Sequence, residues 1–301
     1  MTPSQYSRRT ALAGLSTAVL GSLAGCSALP GFGDENDTSP RSWLYDPTTH
    51  TAEKITGFLR FDFPAGLAEL DDHLHPDALA DRTTPLEEVT IDDESIEWAI
   101  TYGDVLFRTP YLRACGGSFD AKTARAETAT TLDSNINDST RLAAAGPFDC
   151  LQYDDSQYGL VRDGELACLG EVEDEDTVRN IVQERSESSP GLAAVGDVMD
   201  LIDAVGLDTS ASVDFQVDDA GKVTGNGYGY TADGETTTVR FVRLYSDQPL
   251  SRLKELEQLI DALTDVKVEE KGNIDLLEAT VDTNRLAFDG SLFDLLEAPY
   301  K

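Results

Sequence analysis

The first 26 residues decide which part of this chain folds and where it does so. Arg8-Arg9 stands just before an apolar stretch, Ala11–Ala24, built only from Ala, Leu, Gly, Ser, Thr and Val. A stretch so short and so rich in small residues cannot serve as a final bilayer-spanning anchor. It reads as the apolar region of a secretory leader behind a twin-arginine export signal. Leu23-Ala24-Gly25-Cys26 then has the pattern of a lipobox, in which the Cys26 thiol takes lipid and the peptide before it is removed. Residues 1–25 are therefore expected to be a signal peptide. Residues 26–40 are expected to be a lipidated cysteine with a Gly, Pro, Asp and Ser-rich tether, and the folded part follows. Ser27–Pro40 would hold that fold about 20 Å from the lipid. The expected location is the extracellular face of the cytoplasmic membrane.

Charge is the next constraint. The chain carries 56 acids against 23 bases, a formal net charge of −33, and only seven of the bases are lysines. Such an excess would repel itself strongly in dilute buffer, whereas in molar salt the Debye length falls to about 3 Å and the same charges become solubilising. High net charge also favours disorder, but 40% hydrophobic and 8% aromatic residues are enough to build cores. A polyanion repels phosphates, so nucleic acid is excluded as a bulk partner, and cationic ligands are favoured. Acid-rich, Asp-heavy and Lys-poor composition behind this leader resembles the haloarchaeal lipoproteins exported by the twin-arginine route.

Along the chain, Trp43-Leu44-Tyr45 and Ile55–Phe63 look like a strand pair, and Pro64 opens a helix with Leu67, Leu70 and Leu74 on one face. Val89-Thr90-Ile91, Ile96–Tyr102 and Val105–Tyr111 read as strands, with Gly116-Gly117 as a break. Phe119–Thr130 is helical. Phe148–Tyr153, Tyr158–Arg162 and Glu165–Leu169 form a meander with a turn at Asp163-Gly164. Two helices follow, one capped by Asp176 and one over Leu192–Val205. Thr237–Tyr245 is a strand entered through Asp233-Gly234, and Pro249–Thr264 is a helix with Leu253, Leu256, Ile260 and Leu263 as its stripe. Leu59-Arg60-Phe61 and Val239-Arg240-Phe241 stand at matching places, which suggests a duplicated strand–helix–strand–strand module. The expected class is α+β, with antiparallel sheets, helices on one face, and two domains over residues 41–206 and 207–301. Gly116-Gly117-Ser118-Phe119-Asp120 before a helix, then a Tyr-rich meander, is similar to modules of uncharacterised haloarchaeal surface lipoproteins. That likeness covers Asp104–Arg185 and implies no known activity.

Few residues offer chemistry. His73-Leu74-His75 sits among Asp71, Asp72 and Asp77, and with His50 these are the only histidines. Extended, His73 and His75 would share a side and could hold a metal with Asp77; on a helix they diverge, and the local pattern is helical. Asp133–Asp138 copies the opening of a calcium loop but has Asp138 where Gly is needed and Ala144 where Glu is needed, which excludes an EF-hand. Five acids in Glu171–Asp176 suit a helix N-terminus. Gly225-Asn226-Gly227-Tyr228-Gly229 has the wrong spacing and setting for a dinucleotide loop and reads as a glycine-weakened strand. Asn36 and Asn137 head glycosylation sequons.

Of the cysteines left after Cys26, a bridge between Cys115 and Cys168 is expected, with Cys150 as a buried apolar residue; Cys115–Cys150 is the rival pairing. The functional expectation is a lipid-anchored, non-catalytic surface protein without a cofactor. It would meet the membrane through Cys26 and bind a small ligand or a surface protein. The alternatives are an exported hydrolase or metalloenzyme using His73, His75 and nearby acids, and a structural envelope component.

Overall fold

One antiparallel sheet of twelve strands organises the protein, seen in a computed structural model that describes residues 39–49, 54–73, 91–104, 109–132, 140–143, 145–186, 196–218, 220–244 and 263–285. All of these fall within the unit Phe32–Lys301. Arg8, Arg9, Cys26, Asn36, His50, His75, Asp77, Asp133–Asp138 and Asn137 lie outside the described residues, as does most of the helix expected over Pro249–Thr264.

The strands are β1 (Ile55–Asp62), β2 (Ile96–Asp104), β3 (Tyr111–Gly117), β4 (Thr140–Arg141), β5 (Asp149–Gln152), β6 (Tyr158–Arg162), β7 (Glu165–Gly170), β8 (Ser210–Val217), β9 (Val223–Asp233), β10 (Thr236–Leu244), β11 (Thr264–Lys271) and β12 (Ile274–Asp282). The helices are α1 (Pro64–His73), α2 (Ala121–Thr131), α3 (Glu175–Ser186) and α4 (Gly196–Val205). Across the sheet the order is β11-β12-β10-β9-β8-β1-β2-β3-β7-β6-β5-β4. The boundary expected between residues 206 and 207 falls between α4 and β8, and β8 pairs with both β1 and β9, so hydrogen bonding runs unbroken across it.

Alternation sorts the side chains onto two faces. One face carries Leu59 and Phe61 of β1, Ile100 and Tyr102 of β2, Leu112, Leu160, Leu169, Val213 and Phe215. Over it lie α3, α4 and the segment Trp43-Leu44-Tyr45. The other carries Ala99, Cys115, Val161, Cys168, Tyr228, Phe241 and Leu277, under α1 through Leu67 and Leu70 and under α2 through Ala124. Helices therefore cover both faces, which corrects the expected one-sided arrangement. The physical reason is legible in β7, where Leu166-Ala167-Cys168-Leu169 is apolar at consecutive positions and every one is buried. A strand without a polar side needs cover on both.

Further corrections are local. Pro40–Trp43 is a 3-10 turn rather than a strand, and β1 pairs with β2 and β8 instead. Gly116 and Gly117 end β3 rather than break a strand before it. Gly116 lies under the Trp98 indole, so close that a Cβ there would stand 2.4 Å from the ring. Thr264 opens β11 instead of closing a helix. Both expected Asp-Gly turns are present, Gly164 at φ +74° and Gly234 at φ +62°.

The described strands do not confirm the expected duplication. β10 runs opposite to β1, its partner β12 lies on the opposite side from the one β2 takes beside β1, and Val239 and Phe241 point to the opposite face from Leu59 and Phe61. Reversing direction, side and face together is an inversion, which no rotation of an L-chain can produce.

Candidate functional site

Two places gather polar side chains, one buried and one largely open to solvent, and both involve the N-terminal segment 39–49. The first is a clasp around Glu165 at the head of β7. The Trp43 indole donates to one Glu165 oxygen at 2.6 Å, and an Arg185 Nη of α3 donates to both oxygens at 2.7 and 2.8 Å. Arg162 of β6 donates through Nε to the second oxygen at 2.7 Å. The Arg185 guanidinium lies 5.0 Å from the centres of both the Trp43 and Phe148 rings, and Arg162 lies 4.8 Å from that of Phe148. Trp43 and Phe148 meet edge to face at 5.2 Å. Apart from this aromatic pair, each contact is a charge-assisted hydrogen bond or a cation–π contact. Glu165 thus holds the segment to β6, β7 and α3.

The rest of the segment is held in the same manner. Arg41 pairs with Asp203 of α4 at 2.5 Å, and the Asp46 amide donates to Glu184 of α3 at 3.1 Å. The Tyr45 hydroxyl donates to the Pro110 carbonyl, and the Tyr102 hydroxyl donates to the Tyr45 carbonyl at 3.0 Å. Burial pushes both phenols far above the ordinary tyrosine range.

The second place is a cleft of about 490 Å³ where this segment meets the start of α4 and the β8–β9 connection. Asp46 and Thr48 line one wall, Asp197 and Asp200 of α4 another, and Val217, Gly221 and Val223 the floor. Asp46 is nearly buried, and the Thr48 amide and hydroxyl donate to its Oδ1 at 2.9 and 2.7 Å. Among the described residues that line the cleft three are carboxylates and none is a base, which makes it attractive to cations and repellent to anions. Among the described residues, no group of three or more His, Cys, Asp or Glu is placed to hold one metal ion. Sequence reasoning missed the cleft because Asp46 and Asp197 are far apart in the chain and neither stands in a motif.

The residues singled out from sequence fall as follows. His73 is the last residue of α1, half-buried and helical, so it has the geometry in which His73 and His75 would diverge. Cys115, Cys150 and Cys168 are buried and not joined by a disulfide, which replaces the expected bridge. β3 and β7 are neighbours, as the bridge required, but they run antiparallel, and Cys115 stands opposite Leu166 while Cys168 stands opposite Arg113. The two cysteines are therefore diagonal, a placement of about 7–8 Å between Cα atoms, beyond the ~6.8 Å a disulfide spans. Cys150 belongs to the opposite face, which removes the rival pairing. Burial pushes the Cys150 thiol up to about 11 and the Cys115 thiol higher still.

In Glu171–Asp176 the capping residue is Asp174, not Asp176. It accepts from the Thr177 amide at 2.8 Å and hydroxyl at 2.9 Å, which holds its carboxyl below the usual range. Gly225, Gly227 and Gly229 lie on one face of β9 and seat α4. A Cβ at Gly227 would come 2.2 Å from the Val205 side chain, and one at Gly229 would come 2.5 Å from the Val205 carbonyl.

No family model matches the chain, and no curated protein matches it. Two solved structures of TP0453 are similar. Crystal form III shares 7% identity over 86% of this chain and 98% of that one, at a TM-score of 0.47. Crystal form I shares 8% over 89% and 100%, at a TM-score of 0.45. Neither likeness is close enough to bring a function with it.

Proposed function

We propose that this is a lipid-anchored, non-catalytic binding protein on the outer face of a haloarchaeal cytoplasmic membrane. The observation that carries the reading is the sequence Arg8-Arg9, apolar stretch, Leu23-Ala24-Gly25-Cys26, followed by Ser27–Pro40. Support comes from where that connection ends. Three residues after Pro40 the chain is fastened to the fold by Trp43 and Glu165, so an anchor at Cys26 would hold the folded part by a buried clasp rather than by a fraying end. The acidic excess suits molar salt. The cleft beside Asp46, Asp197 and Asp200 is where a ligand would be held, and its charge sets the class as cationic. The anchor is tested by Cys26→Ser, which should release the protein from the membrane fraction. Arg8→Lys with Arg9→Lys should leave precursor in the cytoplasm. Normal surface attachment of both variants would overturn the reading.

A further inference from the structure

β11 ends the described sheet at one edge, and its side chains are largely exposed. An exposed edge offers a row of backbone groups to another strand, and proteins commonly blunt such edges with charges of one sign, lysine above all. The charges here are arranged differently. Lys267, Glu269 and Lys271 share the face that carries Glu278, Val266 and Val268 share the other, and Asp265 precedes them at the bulge that separates Thr264 from Lys267. In the order Lys267, Glu269, Lys271 the signs alternate.

We infer that β11 is a self-complementary edge through which two copies of this chain pair. If two β11 strands lie antiparallel about a two-fold axis at Val268, Lys267 of each copy stands opposite Glu269 of the other. Val268 meets its own counterpart, while Asp265, at φ +52° in the bulge, lies outside the regular register. The Lys267–Glu269 pair is then of opposite sign, and symmetry forms it twice. Two of the seven lysines of a chain with 56 acids stand on this one strand, and Lys267 is at the place where the pairing needs it. The backbone hydrogen bonds of strand addition supply affinity, and the alternating charges fix the register. Salt should favour the pair. At ~0.1 M the whole-chain repulsion reaches about 10 Å and keeps two polyanions apart, whereas in molar salt it is confined to about 3 Å.

Sedimentation velocity in molar KCl tests this on the full chain, with thermal melts by circular dichroism to confirm that each variant is folded. The expected result is a reversible dimer that dissociates at ~0.1 M salt before the fold is lost. Lys267→Glu sets glutamate against glutamate twice, and Glu269→Lys sets lysine against lysine twice. Each should weaken self-association by about tenfold. Mixing the two folded variants should restore it, because the acids of one then face the lysines of the other. A wild-type chain that stays monomeric in molar salt would overturn the inference. So would a dimer indifferent to both substitutions, or a mixture no tighter than either variant alone.

Discussion

Glu165 shows how one residue can organise a region far from it in sequence. Its side chain is 0% exposed and that of Arg185 is 2% exposed, so neither charge can borrow solvation from water. Such a pair adds little over a well-packed apolar alternative, but breaking it strands a buried charge. Glu165→Gln should therefore cost about 3–5 kcal/mol, since Arg185 keeps its charge and loses the anion. Trp43→Phe keeps the ring over Arg185 and loses one hydrogen bond to a charged acceptor, so it should cost about 1.5–3 kcal/mol. Denaturant titration at fixed molar salt checks both, and Trp43→Phe proving the costlier would show that the carboxylate is not the centre of the clasp. Part of this was legible. The strand that Glu165 heads reads as the last of the meander. The partner of Glu165 was not legible, because Trp43 is 122 residues away and its neighbours Leu44 and Tyr45 suggest a strand by composition.

At the scale of elements, sequence periodicity located the meander β5–β7, α1, α2, α4 and both Asp-Gly turns within a few residues. It failed where an element takes its form from a distant neighbour. Gly225, Gly227 and Gly229 weaken a strand in isolation, yet as alternate residues of β9 they clear one face for the last turn of α4. The α-carbon face of β9 accepts the helix only because no side chain stands there, and Tyr228 and Tyr230 are buried on the other side. Gly227→Ala should destabilise the protein by about 1–3 kcal/mol through overpacking against Val205. Val205→Ala removes the methyl groups in the way, so the double variant should be less destabilised than the sum of the singles. That coupling is the diagnostic result. Thermal melts of the four proteins measure it, and strict additivity would mean that α4 does not rest on Gly227.

For the whole molecule, the strand order was the least legible feature. β1 pairs with β8, and Asp62 of β1 stands against Ser210, 148 residues away, with its carboxylate accepting from the Ser210 hydroxyl at 2.7 Å. Nothing local to either strand encodes that choice, whereas the alternation of buried and more exposed positions can be read in each strand separately. Net charge acts at this same scale and gives the last prediction. Asp120 and Asp174 are held below the usual carboxylate range by the amides of Thr123 and Thr177. For Glu278 burial acts in the opposite sense, but hydrogen bonds from Arg240 and Lys267 bring it below its usual value too. Groups with depressed folded values stabilise above their unfolded pKa, and that stability is lost as pH falls through the folded value. Acting against this is self-repulsion among a net charge of −33, which protonation relieves. Salt decides between them. In molar salt repulsion is already screened, so acidification below the ordinary carboxylate range should only lower the melting temperature. At ~0.1 M salt repulsion dominates, so the melting temperature at neutral pH should be much lower and should first rise as pH falls toward the isoelectric point near 4.1. Melts by circular dichroism over a grid of pH and KCl concentration separate the two effects, and a neutral-pH melting temperature unchanged between ~0.1 M and molar salt would show that the acidic surface does not govern the stability of this fold.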